Sequence, residues 1–521
     1  MNDTASRPPR DARRSAELGA AIRSEWVKLR TVRGWLAGPV LAVLACMVFT
    51  FLVGNGTHSG VCTGTGTCRS GHTSVPSGPQ GEAVADTYEY LSRALVGDGS
   101  VTARVVGLRG LVSTNPTTVA PSVAATRPGL AAWSKAGVLL TTGTGQGHRY
   151  AAVVATGGHG VRFQHDYVHD AAGTVGTAAS TSPRWVRLTR SGDTVTGSES
   201  ADGTSWRVLG TARLTGLPHT VRVGLVVTSP VTFLGAAAYP TQATGTFDRV
   251  TVDGTPTQGW RPTVVGFGAS SFYPTLGAGA VHPTADGFEV TGSGDIAPAV
   301  VQGLLGTDTV ASSLELGLVV VLMVLAVVAA MFVTTEYRRG LIRTTFAATP
   351  ARGRVLAAKA VVVAAAGFVT GCLAAAAAAP VGSDLLSANG AYVFPTSAAT
   401  TAGVVLGCGA LVALTAVGVL ALGASLRRSA GAVAVGTLVF VLPAMLAPSL
   451  GDGARTWLFR ATPAAALAVL DVLPRSSVVE YPYTVANGYE PLPAWGGLLV
   501  LAAYVAAALV VARAVIARRD A

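Results

Sequence analysis

His165, Asp166, His169 and Asp170, within FQHDYVHD, are of the residue types that hold divalent metals. On a strand, residues four apart share a face but stand about 13 Å apart, at about 3.3 Å per residue. They converge on one ion only where a loop intervenes, so strand and turn residues are the plainer expectation and no metal is expected. Glu199 and Asp202 are near enough in sequence to supply the opposed carboxylates of a glycosidase. They flank the turn ADGT (201–204), however, and no E-x-D-x-x-E pattern accompanies them, so hydrolysis is not expected. Trp133, Trp185 and Trp206 offer flat apolar faces that could stack on a glycan, and each also lies in a strand pattern where core packing is the ordinary role. Cys62 and Cys68 in VCTGTGTC close a short loop; outside a cell they would form a disulfide, with two free thiols as the alternative. Zinc needs further ligands, and only His58 and His72 are near. Asn55-Gly-Thr57 is a glycosylation triplet. No GxxxxGKS/T phosphate loop occurs, so the chain is expected to carry no ATPase of its own, no other enzyme activity and no cofactor.

Most of these residues fall in one region of short alternating segments. Candidate strands are 101–108, 136–142, 149–156, 160–167, 184–191, 193–200, 205–214, 219–228 and 245–254, with turn residues at SGD (191–193) and ADGT. Strands at this spacing predict an all-β sandwich over 83–256. A Gly/Ser/Thr/Pro-rich linker, 54–82, precedes it, and a polar connector, 257–313, follows.

The rest of the chain is of another kind. Mean hydropathy is +0.48, and charged residues make up only 12% of the 521. The apolar residues collect in windows of about 20, the length that crosses a hydrocarbon core of about 30 Å. Six such windows, 35–53, 314–334, 355–379, 401–426, 430–450 and 494–515, predict six transmembrane helices. The first has full span length behind a long basic segment, unlike a cleavable leader. The net charge of +11 could suggest nucleic acid, but the basic residues cluster beside the windows and no nucleic-acid partner is expected. Their distribution puts 1–34 and 516–521 in the cytoplasm, and 54–313, 380–400 and 451–493 outside, as in a multi-pass plasma-membrane protein. ATPAAALAVLDVLP (461–474) reads as a short helix on the outer surface. Cys46, Cys372 and Cys408 lie in apolar windows as packing residues. Glu315, Lys359 and Arg513 sit near window ends and are expected to snorkel to the interface, which leaves a proton- or sodium-coupled carrier without its charged groups. Pro443 and Pro448 predict a bend in the fifth window.

Two basic segments border the windows. Residues 15–33 read as an interfacial helix, with Leu18, Ile22, Trp26 and Leu29 at helical spacing and Glu25, Lys28 and Arg30 beside them. The stretch TEYRRGLIRTTFAATPARGRVLAAK (335–359) joins the second and third windows; it holds six Lys or Arg against the single acid Glu336. Its first half reads as a short helix before Pro350.

The wording of 335–359 resembles the first cytoplasmic loop of ABC-2-type transporter permeases of the actinobacterial type. RSEWVKLRTVRGW (23–35) is similar to the amphipathic lead-in of that family, and 462–521, closing on ARRDA, to its last external loop and span. The run 184–214 and GTFDRVTVDG (245–254) resemble concanavalin-like, laminin-G-like jelly rolls of the DUF1349 type. The first resemblance implies the permease subunit of an ATP-driven exporter. It further implies that Glu336, Arg338, Arg339, Gly340 and Arg343 dock a separate ABC ATPase, near the helix bearing Glu25, Trp26, Lys28 and Arg30. Two permease chains, as a homo- or heterodimer in the lipid bilayer, would then form the path. A long external sandwich departs from the plain family pattern. The alternative expectation is a membrane-anchored glycan-binding or envelope-sensing protein without transport, its sandwich meeting an extracellular glycan.

Overall fold

The computed structural model describes residues 10–56, 60–62, 68–70, 74–116, 126–173, 183–234, 237–266, 273–302, 306–348, 351–479 and 488–518. Apolar windows become helices, and alternating segments become strands. Helix α1 (Arg10–Thr31) leads into α2 (Arg33–Gly56); after the sheet region come α3 (Glu315–Arg338), α4 (Leu341–Ala348), α5 (Arg352–Ala388), α6 (Ala398–Leu426), α7 (Ser429–Phe440), α8 (Leu442–Leu446), α9 (Asp452–Ala461) and α10 (Ala494–Arg518). Five helical stretches, Arg33–Gly56, Ser312–Arg338, Arg352–Ala388, Ala398–Leu426 and Ala494–Arg518, are long and apolar enough to cross a membrane.

The fifth expected window does not form one helix. It breaks into α7, α8 and a 3-10 turn at Ala447–Ser449. Pro443 lacks the N–H that would continue α7, and its ring crowds the carbonyl a turn earlier; Pro448 likewise has no N–H to give. Buried Arg455 reaches back from α9 and donates to the carbonyls of Ala447 (3.2 Å) and Leu450 (2.6 Å), bracing the broken end of the helix. The segment read as an outer-surface helix also differs: Pro463–Leu470 is a 3-10 helix whose eight residues are all buried against α6 and α10. Its composition, seven apolar residues and a proline, gives it no polar face to turn to water.

The sheet region is a β-sandwich built on two long bent strands, β1 (Tyr88–Ser113) and β10 (Thr241–Val265). Between them run β2 (Lys135–Thr141), β3 (Tyr150–Thr156), β4 (Val161–His165), β5 (His169–Ala172), β6 (Arg184–Ser191), β7 (Thr194–Ser200), β8 (Arg207–Arg213) and β9 (Thr220–Thr228). Residues 89–96 of β1 pair with β9, which carries β2, β3, β4 and β5 in turn. Residues 99–105 pair instead with β6, which carries β7 and β8. β1 changes layers between these runs, where Gly97 takes φ +70, a value that suits glycine. Register shifts in β10 after Asp248, Gly254 and Thr257 bend it alongside. The layers close over one core, with the Phe163 ring lying over Gly197 and Gly210 of the opposite layer.

The sheet runs past residue 256 into the segment read as a connector. β11 (Ala280–Pro283) pairs with β12 (Gly287–Gly292), and β12 pairs with β10. Ile296–Pro298 then pairs with Val84–Asp86, so the chain leaves the sandwich beside the point where it came in. The helices follow from there. α3 starts at this foot, and at about 1.5 Å per residue its 24 residues carry the chain about 36 Å to the opposite end of the bundle.

Phe247 of β10 is fully buried in the sandwich core. Phe247→Ala is expected to cost about 3–5 kcal/mol, read as a shifted denaturant midpoint for the intact chain in nanodiscs. A loss within about 0.5 kcal/mol would contradict its place in the core.

Candidate functional site

At the end of the bundle away from the sandwich, three helices meet on four charges. α3 ends with Glu336, α5 brings Lys359 about two turns from its start, and α1 brings Glu25 and Lys28. Lys359 Nζ lies 2.8 Å from Glu25 Oε2 and 2.8 Å from Glu336 Oε1. Lys28 Nζ closes the ring at 2.7 Å from Glu25 Oε1 and 3.1 Å from Glu336 Oε1. Lys359 is 1% exposed and Glu25 3%, so these ions are out of water while the cycle of two cations and two anions stays neutral. Its walls are apolar: Leu29, Phe332, Val333, Leu356 and Ile516 form one buried cluster. Lys359 Nζ stands 4.9 Å from the centre of the Phe332 ring, and Trp35 packs edge-on against that ring at 5.4 Å.

This arrangement corrects two expectations. Lys359 does not snorkel, because two carboxylates fix it inside the bundle. Glu336 does not face outward with the arginines, because the turn of α3 that bears it points at α1 and α5. Sequence reading missed the cluster because its members lie 334 and 23 residues apart along the chain. The one available signal was Lys359 itself, a charge in an apolar window with lone Glu336 upstream.

The remaining residues of the loop do face solvent. Arg338, Arg339, Gly340 and Arg343 are exposed, while Ile342 is buried and anchors α4. Gly340 at φ +67 makes the left-handed turn that separates α3 from α4. Arg427 lies over Tyr337 and Arg352 over Phe346, and Arg352 also donates to the Ile516 carbonyl at 3.0 Å, which ties the ends of α6 and α10 to the loop. On α1, Glu25 faces in, whereas Trp26 and Arg30 face out; Trp26, 46% exposed, leaves the apolar stripe expected of it.

The expected sites of the sandwich disperse. Trp133 is 4% exposed, stacked on His159 at 4.0 Å, and packed with Ala297 and Val478, so it has no face for a sugar. Trp185 and Trp206 meet at Gly203, Trp206 donating to its carbonyl at 3.2 Å. Arg104 lies over the first ring at 5.8 Å, and Arg187 over the second at 3.7 Å. One face of each half-buried ring thus carries an arginine of the sandwich itself. His165 and His169 do converge, because 160–172 is a hairpin and not one strand. Asp166 and Tyr167 take φ +43 and +60 in its turn, and the two rings stack at 4.4 Å. Asp170 is spent on Arg162 and Gln164, and Asp166 lies 3.5 Å from Arg149. Burial, and then His169 and Arg149, lower the His165 pKa to about 4, so it stays neutral. Among the described residues no group of three or more His, Cys, Asp or Glu is placed to hold a metal. Asp202 accepts the amides of Thr204 and Ser205, which hold its carboxyl well below the usual range, and Glu199 pairs with Arg207, so both serve the hairpin. The backbone register sets Cys62 opposite Cys68. Their side chains, His58, His72 and Thr57 lie outside the described residues.

No family model matches the chain, and no curated protein matches it at a significant level. Among solved structures, a functionally unknown protein from Saccharomyces cerevisiae overlaps 37% of this chain and 88% of its own, at 14% identity and a TM-score of 0.22. Scytalido-glutamic peptidase overlaps 40% of this chain and 98% of its own (9% identity, TM-score 0.23). The GH43 protein BlXynB from Bacillus licheniformis overlaps 30% and 28% (11% identity, TM-score 0.19). Scores this low imply nothing about activity.

Removing one member of the charge cluster strands the others. Lys359→Ala is expected to cost about 3–5 kcal/mol, and Lys359→Met with Glu25→Gln and Glu336→Gln much less, because no uncompensated buried anion remains. Denaturant unfolding in nanodiscs measures both. Equal losses would contradict a coupled cluster.

Proposed function

We propose that this chain is the membrane subunit of an ATP-driven exporter of the ABC-2 type, working with an ABC ATPase on a separate chain. On this reading α7, α8 and the turn that follows make a sixth crossing beside the five long helices. The basic loop and both termini are then cytoplasmic, and the sandwich, of concanavalin-like type, stands outside. Two such chains enclose the path. The observation that carries the proposal is the mounting of the loop. Arg338, Arg339 and Arg343 present an exposed cationic face one turn beyond Glu336, and Glu336 is fastened through Lys359 and Lys28 to α5 and α1. A partner with an acidic cleft that grips those arginines pulls on three helices at once. Closure of an ATPase pair is the kind of motion that such a lever converts into a tilt of the spans. The absence of a phosphate loop from the sequence fits an ATPase held in trans. The glycan-sensor alternative is the less supported of the two, since among the described residues Trp133 is buried in the core and arginines lie over Trp185 and Trp206.

The test is co-purification from cells expressing the tagged chain with the ABC ATPases of its genome. A complex with chain-dependent ATP hydrolysis is expected for the wild type. Arg338→Glu with Arg339→Glu should weaken association on the order of a hundredfold, because like charges set against each other cost several kcal/mol. Both side chains are exposed, so the variant should fold. The absence of any ATPase partner, or a variant as active as wild type, would overturn the proposal.

A further inference from the structure

At the other end of the bundle, the residues before α10 fold over the buried segment Pro463–Leu470. Tyr489 donates its hydroxyl to the Val300 carbonyl and so ties this loop to the chain leaving the sandwich. Glu490 beside it is 2% exposed, and neither of its carboxylate oxygens has a hydrogen-bond partner. Its side chain borders a cavity of about 10 Å³ shared with Gln302, Ser312 and Asp471. Asp471 accepts from Arg475 at 3.0 Å through Oδ2 and lies against the amides of Glu490 and Leu473, which favour its charge, while its Oδ1 is buried without a well-formed hydrogen bond. Glu315, at the head of α3, is a third acid acting on Glu490. Among the described residues the one cation acting on it is Arg475, whose guanidinium is spent on Asp471 and on the main-chain carbonyl of Glu490. Two acids, Glu490 and Asp471, thus border a space no larger than one water, while Glu315 and the committed guanidinium of Arg475 act on Glu490 from outside it. Two ionised carboxylates cannot share such a site cheaply; one of them takes a proton. A metal is the other way to neutralise them, but no group of three or more ligands is placed for one among the described residues.

We propose that Glu490 and Asp471 form a proton-binding pair at the foot of the sandwich, holding one proton between two carboxyl groups, and that this proton keeps the loop at 488–490 seated on the stem at 300–302. Burial is the first cause that raises both carboxyls above their ordinary range, and for Glu490 the charges of Asp471 and Glu315 add to it. The sign follows. The seated loop binds the proton more tightly than the open one, so the stabilisation is whole at and below the ordinary carboxylate range. It is lost as pH rises through the elevated value. The site is independent of any ATPase partner.

Infrared titration and hydrogen exchange on the full chain in nanodiscs test this. The wild type is expected to show a protonated-carboxyl C=O band at neutral pH that Glu490→Gln removes. Protection at 300–302 and 488–490, taken as exchange corrected for its intrinsic base-catalysed rise with pH, should fall about tenfold or more from about pH 6 to about pH 9 in the wild type, and stay constant in Glu490→Gln, which mimics the neutral form. Should that variant fail to fold, Asp471→Asn should move the band's titration to lower pH. A band untouched by Glu490→Gln would mean an ionised Glu490 beside a bound water, and one unmoved by Asp471→Asn a Glu490 that holds its proton without Asp471; either overturns the proposal. An exchange profile with the same pH dependence in Glu490→Gln would do so as well.

Discussion

Lys359 is the constraint on which the helical half of this structure turns. An ammonium group inside an apolar bundle is tolerable only if anions meet it there, and the two that do come from different helices, Glu25 on α1 and Glu336 on α3. The requirement fixes more than a contact. It sets the rotation of α3 about its axis, the depth at which α5 starts, and the position of α1 along the bundle. Lys28 completes the neutral ring and brings it to the surface, where it remains partly exposed. A well-packed apolar replacement could equal the cluster in stability, since the desolvation of buried ions offsets much of their attraction. What ions add is intolerance of misplacement, the property that the proposed lever needs where it is fastened.

The sandwich is fastened in a related way. Lys135, at the start of β2, is 1% exposed; its ammonium lies 2.9 Å from Asp295 and donates to the Ile296 carbonyl at 2.6 Å. The residues it grips belong to the short strand that returns the chain toward the helices. Tyr489 and the Glu490 pocket then join that stem to the loop before α10. The sheet and the bundle are thus linked through a narrow, largely buried foot, and the basic loop stands at the far end of α3. A motion begun at one end can reach the other only along α3 and the helices packed on it.

Periodicity along the chain made much of this legible. Apolar windows of span length became α2, α3, α5, α6 and α10 because nothing in them interrupts a helix except Pro39 and Pro380, each absorbed within its helix. The window around Pro443 held two prolines and broke. The alternating segments became strands, but the length of β1 and β10 was hidden, because the bends that let them serve both layers read as turns in one dimension. His165 and His169 looked separated because a strand was assumed through Asp166 and Tyr167, and a tyrosine seldom takes the positive φ that closes this turn. The charge cluster was the least visible feature. Each of its members has an ordinary local reading as a snorkelling lysine, an exposed glutamate or an interfacial helix pair, and only the tertiary packing of three helices reveals a common site.

On the proposed function, α1, α3 and α5, joined at the charge cluster, move as one body with α4 when the basic loop is pulled. The most direct measurement is a set of spin-label distances in the ATPase-bound complex, with and without ATP, from labels at the exposed positions Trp26, Arg343 and Leu499. The account predicts that the distance from 26 to 343 stays constant while both move relative to 499, and that Lys359→Met with Glu25→Gln and Glu336→Gln frees the first pair. A distance from 26 to 343 that changes in the wild type, while 26 holds its place relative to 499, would contradict it.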